Sequence, residues 1–217
     1  MPQMTQVLRA DARDNRDRVL AAARSLFAER GLDVTMRQVA RAAAVGPATL
    51  YRRFPTKQDL VDAAFADEVR ACRAIVEQGC ADPDPWRGFC SVVERVSVLN
   101  VRNQGFVDAF ASAHPDVGPF TAHRAAAVRL LAGLADRAKA AGRLRADFVV
   151  DDLVLVLLAN RGLASAPPDV REAAARRFAA LALDGFSAPG VSPLPRAPRL
   201  VGRDARTPTG LGPGPRT

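Results

Sequence analysis

The sequence is poor in the residues that staple, ligate or catalyse. It has three cysteines, Cys72, Cys80 and Cys90, and two histidines, His114 and His123. No C-x-x-C pair occurs, no cysteine stands at metal-ligand spacing from a histidine, and the odd number leaves no complete disulfide framework, so no metal is expected. Two histidines among scattered carboxylates supply neither a nucleophile with its base nor a paired acid and base, which argues against an enzyme and calls for no cofactor. No stretch approaches the ~18 consecutive apolar residues of a membrane span. The opening MPQMTQVLRADARD also lacks the apolar core of a signal peptide. The expected setting is the reducing cytoplasm, with no membrane partner. Sustained period-two alternation of β-branched residues is missing too, which argues against a sheet.

What the chain does have is Ala, Leu and Arg, and 48% hydrophobic residues, enough for a core. Its charge is uneven. Residues 1–60 hold 11 Arg and Lys against 6 Asp and Glu, residues 61–186 hold 15 against 16, and residues 187–217 hold 5 against 1. A basic segment on a neutral body is what attraction to phosphate needs.

Helix signals run almost end to end, and the fold is expected to be all-α. The pattern predicts a helix over Asp14–Arg30, with Val19, Ala23, Leu26 and Phe27 on one face and Gly31 at its C-terminus. Thr35 and Gln38 form a capping box, and Val34 and Val39 stand where a hydrophobic staple closes. Val45 and Leu50 repeat that spacing around a start at Gly46 with Pro47 at the first helical position, giving a short helix to Phe54. Thr56 and Asp59 mark another start. That helix should run to Gln78 or Gly79 with Phe65, Val69, Cys72 and Val76 as its core stripe. Further helices are expected over Asp84–Asn103, Gly105–Ala113, Asp116–Ala141, Asp147–Ala164 and Pro168–Phe186. Residues 1–13 read as a flexible arm. Residues 188–217, rich in Pro, Gly and Arg, read as a disordered tail, either simply solvated or adding nonspecific attraction to phosphate.

Two short helices joined by a tight turn, Thr35–Ala43 and Pro47–Phe54, have the length and spacing of a helix-turn-helix whose second member enters the major groove. At 100° per residue, Pro47, Leu50 and Phe54 cluster on one side of that second helix. Ala48 and Arg52 project opposite, flanked by Thr49 and Tyr51. Arg52 suits a bidentate contact to guanine, Thr49 a base edge and Tyr51 a phosphate oxygen. Thr35 and Lys57, at helix N-termini, suit phosphate. Arg37 and Gly46 complete the candidate DNA-binding set.

The stretch TMRQVARAAAVGPATLYRRFPTKQDL resembles the helix-turn-helix of the TetR/AcrR family, with T-x-x-x-[IV]-A, T-L-Y-x-x-F and [ST]-K-x-x-L in register over about Asp14–Ala64. The resemblance implies DNA contact by Thr35, the Pro47–Arg52 helix with Tyr51, and Lys57, around a core of Val39, Ala43, Leu50 and Phe54. Two departures stand out. Ala44 occupies a turn position where the family usually has Gly, a cost of roughly 1 kcal/mol if the residue is left-handed. Gly46 replaces the usual Ser N-cap, a loss of a few tenths of a kcal/mol. Arg53 stands in place of an aromatic residue or His and adds a cation for the DNA backbone.

The resemblance also implies a domain arrangement: a DNA-binding domain over residues 14–64 and a helical ligand-binding and dimerisation domain over residues 65–187. VVDDLVLVLLANRGLAS is apolar nearly all round, and PDVREAAARRFAALALDGF brings Val170, Ala174, Phe178, Leu181 and Phe186. Helices of this kind need a cover. The family's four-helix homodimer bundle is one, and completion of a monomeric core is the other. Pocket candidates for a small-molecule effector are Phe65, Cys72, Trp86, Phe89, Phe106, Phe110, His114, Phe120 and His123, although aromatics at helical spacing are also what a core contains. Asn100, Arg102 and Asn103 read either as polar pocket groups or as caps. His114 reads as a ligand contact or a solvated loop residue. The cysteines read better as buried small hydrophobes than as a thiol sensor. The expected function is a ligand-responsive repressor of double-stranded operator DNA, not an enzyme. A purely architectural DNA-binding protein would have no use for the long C-terminal half.

Overall fold

Strong helix formers fill almost every segment, and in the computed structural model they fold into an all-α chain. Residues 2–103, 105–106, 119–189, 192–198 and 200 are described. The helices among them are α1 (Pro2–Arg30), α2 (Met36–Ala42), α3 (Pro47–Arg53), α4 (Lys57–Ala64), α5 (Ala66–Ala81), α6 (Pro85–Arg102), α7 (Pro119–Ala140), α8 (Val150–Ala159) and α9 (Pro168–Phe186).

The first four helices form the N-terminal unit, and their ends are set by local chemistry. Gly31, at φ 68, ends α1 in the left-handed region. The Thr35 hydroxyl accepts from Gln38 N at 3.3 Å while Gln38 Oε1 accepts from Thr35 N at 2.7 Å, the reciprocal box that starts α2. After α2 the chain turns with Val45 N donating to Ala40 O at 3.0 Å and Ala44 N to Arg41 O at 3.1 Å, a Schellman closure. That closure forces Ala44 to φ 54. Gly46 and Pro47 start α3, and Thr56 with Asp59 forms a second capping box at α4. Helix α1 packs on α2 and α4, and α2 on α3, burying Val19, Ala23, Phe27, Val39, Leu50, Phe54 and Leu60.

The long helix expected from Thr56 to Gly79 is two helices. Its backbone breaks at Phe65, with φ −109 and ψ 15, although Phe65 N still donates to Val61 O at 3.0 Å and Val69 N to Phe65 O at 2.9 Å. No Pro or Gly causes the kink. The Phe65 ring, fully buried, sits between Phe27 of α1 at 6.0 Å and Phe106 at 6.1 Å, and the bend accommodates that packing.

Helix α6 is the centre of the remaining body, contacting α5, α7 and α9. Phe89, Val92, Val93, Val96, Val98 and Val101 are all buried around it. Where α5 crosses α6 the backbones nearly touch. A Cβ on Gly79 would lie 2.2 Å from Val92 Cγ2, and one on Gly88 2.2 Å from Gly79 O, so glycine is required at both positions. Helix α8 starts at Val150 and gives way to a 3-10 segment, Asn160–Ser165, where a helix to Ala164 was expected. Asp147 is held elsewhere, Asp152 accepts from Val149 N at 2.9 Å, and Asn160 is buried where the tighter turn meets α6.

Two terminal expectations are corrected. Residues 2–13 are helical, continuing α1 from Pro2 instead of forming a flexible arm. Gln, Leu, Arg and Ala favour helix there, and proline is tolerated in a first turn. The tail does not leave the body at residue 188. Arg145, 8% exposed, chelates the Asp147 carboxylate and donates to Gly185 O at 3.2 Å and Ser192 O at 2.7 Å. Asp147 also accepts from Leu194 N at 3.2 Å, and Asp151 accepts from Leu200 N. Ala188 N donates to Arg143 O at 2.9 Å beside an isolated antiparallel bridge between Leu144 and Ser187. Pro-rich chain forms no helix, so its amides are satisfied by these carboxylates and carbonyls. Residues 201–217 lie outside the described residues.

Ala44→Gly relieves a left-handed alanine and raises the stability of the N-terminal unit by up to about 1 kcal/mol, read as a higher urea midpoint; an unchanged midpoint would show no strain there. The Arg145 guanidinium and then the Leu194 amide hold the Asp147 carboxyl down at about 2 from its ordinary 3.8. A depressed pKa stabilises the fold above the unfolded value and loses that effect as pH falls through the folded value. Asp147→Asn therefore melts below the parent at neutral pH, and the gap narrows as pH drops from 3.8 toward about 2; a gap constant with pH contradicts the assignment.

Candidate nucleic-acid interface

Helix α3 stands on its buried side through Leu50 and the following Phe54, 1% and 5% exposed. Ala48, Thr49, Tyr51, Arg52 and Arg53 are exposed. Pro47, expected on the packed side, is exposed as well, because it belongs to the first turn, which overhangs the packed part of the helix. Thr35 and Arg37 are exposed at the start of α2, and Gly46 is exposed at the start of α3. The Thr35 hydroxyl is engaged with Gln38. Lys57 is half-buried, and its ammonium donates to Leu32 O, tying the start of α4 to the turn after α1.

The charges around this face differ from those elsewhere. Residues 34–58 hold four arginines and one lysine and no carboxylate. Among the described residues, Arg37, Arg41, Arg52 and Arg53 have no ion-pair partner. In the body, by contrast, Arg87 pairs with Asp82 at 2.7 Å, and Arg102 with Glu172 and Arg176 with Glu94 at 2.6 Å each. Beside α3, Asn15 and Arg16 of α1 face Thr49, Arg52 and Arg53 across a groove of about 250 Å³. Sequence reasoning missed Arg41, Asn15 and Arg16. Arg41 was visible as a cation on α2, whereas the two α1 residues are brought to the groove only by the packing of α1 on α2 and α4.

The candidate pocket residues are dispersed. Cys72 and Phe106 line an internal cavity of about 30 Å³ with Asn100, Leu131 and Leu157. Phe65 lies instead between the N-terminal unit and the body. Trp86 stacks on Phe89 at 5.9 Å, and Phe89 meets Phe148 edge-on at 5.2 Å, a cluster extended by Phe186 at 5.0 Å. Phe89 is core and the half-buried Trp86 packs against it, because α6 turns them toward the α8 approach and the end of α9. Phe110, His114 and the Phe120 side chain lie outside the described residues. His123 is half-buried, and burial first, then the Arg73 charge, lowers its pKa. Of the polar trio, Asn100 donates to Leu157 O at 2.6 Å, Arg102 pairs with Glu172, and Asn103 follows α6 and donates to Glu68. Burial pushes the Cys72 and Cys90 thiols up to about 11, so neither is a thiolate at neutral pH. No described helix is long and apolar enough to cross a membrane.

Comparison with known proteins gives these features a family. A model of the bacterial regulatory proteins of the tetR family matches residues 19–64, and one of the C-terminal domain of SbtR-like transcriptional regulators matches residues 84–188. A TetR transcriptional regulator from Streptomyces coelicolor is 34% identical, over 79% of this chain and 98% of that one, with a TM-score of 0.46. A second TetR regulator from that organism, 18% identical over 77% of this chain and 90% of its own, shares the fold with a TM-score of 0.58. An HTH-type transcriptional regulator of Staphylococcus aureus is 41% identical over 54 residues, which is 24% of this chain and 29% of that protein's length. These relatives are regulators, not enzymes. With its N-terminal part matched by the tetR family model and its C-terminal part by a TetR-type regulator domain, the chain belongs to the TetR family of DNA-binding transcriptional regulators.

Proposed function

We propose that this regulator is an operator-binding repressor that works as a homodimer and releases double-stranded DNA when a small molecule enters its helical body. The observation that carries the reading is the carboxylate-free face of α2 and α3, where exposed arginines without partners stand on a buried apolar base. Arg52, Thr49 and Ala48 read bases. Tyr51, Thr35, Arg37 and Lys57, with the Gly46 and Pro47 amide region, fix the register on phosphate. Lys57 keeps further donors beyond the one given to Leu32 O.

Dimerisation has its own support. Leu155 of α8 and Val170 and Leu181 of α9 are 40%, 46% and 59% exposed, although these helices also bury Leu153, Leu157 and Ala179 inward. Apolar side chains directed away from the chain's own core favour pairing with a second copy over completion of a monomeric core. Release requires that the effector bind the DNA-incompetent arrangement better than the competent one. On this reading helix α4 carries the change. Its start is tied to Leu32 O by Lys57, and its last carbonyl, Ala64 O, accepts from Arg24 Nε of α1 at 2.7 Å.

Fluorescence anisotropy of the protein on its own upstream DNA and on a scrambled duplex, across salt, tests the reading. The upstream DNA binds more tightly, and Arg52→Ala costs about 1–3 kcal/mol and relaxes sequence preference, while Tyr51→Ala weakens binding to all duplexes. Equal, steeply salt-dependent binding to both DNAs would reduce the interface to nonspecific phosphate attraction. Leu181→Arg, a charge placed in the proposed pairing face, should shift light-scattering mass toward the monomer and cut operator affinity; a dimer that survives unchanged places the interface elsewhere.

A further inference from the structure

The cavity enclosed by α5, α6, α7 and α8 has a chemistry that limits what can enter it. Its walls include Val96, Leu131, Leu153 and Leu157, and among its described lining residues no side chain carries a charge. The polar groups there are the Cys72 thiol and the Asn100 amide. Asn100 is 2% exposed and gives one N–H to Leu157 O at 2.6 Å. An amide has two donors and an acceptor, so its oxygen and second N–H remain without a partner among the described residues.

Resting on the effector reading above, we infer that this cavity takes an uncharged, largely aliphatic molecule bearing one hydroxyl or carbonyl group, which the Asn100 amide recognises. An ionised carboxylate or ammonium would give up its hydration with no opposite charge to meet it. An alkyl chain gains from the same walls with every methylene it buries. The closed volume, about 30 Å³, has room for a water or two, whereas ligand sites are typically 300–1,000 Å³. Binding therefore displaces wall side chains. Phe106 is the wall residue whose displacement reaches furthest, since its ring packs on Phe65 and that ring on Phe27 of α1. The adjoining residue, Gly105, has no slack: a Cβ there would lie 3.0 Å from Phe65 Cζ and 3.2 Å from the backbone of Phe27.

The test uses the purified full chain without DNA, so its result does not depend on the operator reading. The neutral dye N-phenyl-1-naphthylamine serves as the probe, with 1-decanol, decanoate and decylammonium as competitors at neutral pH. Decanol should displace the dye, and the two ions should be weaker by about 100-fold or more. Leu131→Trp, which fills the cavity, should abolish dye binding. Asn100→Leu should keep the dye and weaken decanol about tenfold, with helical circular dichroism retained in both variants. Should Leu131→Trp fail to fold, Asn100→Leu alone decides. Ions that compete as well as decanol, a parent that binds no dye, a folded Leu131→Trp that still binds it, or an Asn100→Leu with unchanged decanol affinity would each overturn the proposal. If decanol binds as stated yet operator affinity does not change, the induction reading fails while the ligand class stands.

Discussion

The burial of Phe65 between Phe27 and Phe106 is the contact on which the two parts of this molecule depend. It joins α1, the α4–α5 kink and the cavity wall through three rings whose neighbouring centroids are about 6 Å apart. Burying such a ring contributes roughly 1.5–3 kcal/mol, and aromatic pairing adds about 0.5–1.5 kcal/mol per pair. The kink is the geometric consequence. A straight α4–α5 helix would hold one direction across the junction, whereas the bend at Phe65 lets α4 lie along α1 and α5 lie along α6 and α7. Arg24 reinforces it by bonding the last carbonyl of α4 from α1. The DNA-binding unit is thus attached by packing to the element that borders the cavity, and interiors packed in this way transmit displacement.

Charge is distributed on a different principle. In the body, several arginines are held by carboxylates, some of them across elements, as Arg102 is by Glu172 and Arg176 by Glu94. Such exposed pairs contribute little to stability, but they neutralise the surface. On α2 and α3 no carboxylate is within the segment, and the guanidinium groups stay available to phosphate and base edges. A surface that leaves its cations unpaired accepts self-repulsion in return for attraction to a polyanion. The overall net charge does not reveal this difference, which lies in the absence of any carboxylate over residues 34–58.

The N-terminal unit was legible because its signals are local. Thr35 with Gln38, Thr56 with Asp59, Gly31 after α1 and Pro47 at the start of α3 act over three or four residues, and each behaves as its spacing implies. Ala44 was legible for the same reason: a turn this tight requires a left-handed residue whatever its side chain. The break at Phe65 was not, since the residues around it are good helix formers and the cause lies on α1 and at Phe106. The Arg145 centre was hidden likewise, because its partners at Gly185 and Ser192 are 40 and 47 residues away. The aromatics were the hardest to sort. Trp86, Phe89 and Phe106 look alike as residue types, and tertiary packing alone decides that Phe89 is core with the half-buried Trp86 stacked on it while Phe106 faces the cavity.

This last ambiguity has a physical origin. A site for an apolar molecule is built from the same side chains as a core, and in the closed state it is a core with a small defect. About 30 Å³ of unfilled space is stable because the surrounding Val, Leu and Phe side chains close around it. An occupant must therefore supply enough buried apolar area to offset the repacking it imposes, and the side chain that yields determines where the strain goes. Phe106 packs on Phe65 and, through that ring, on Phe27 of α1, so on the proposed effector reading its displacement would be the route from an occupant to the DNA-binding unit. On that reading affinity would grow with the chain length buried, and a chain as long as decanol, far larger than the space of about 30 Å³, would enter only by displacing the walls.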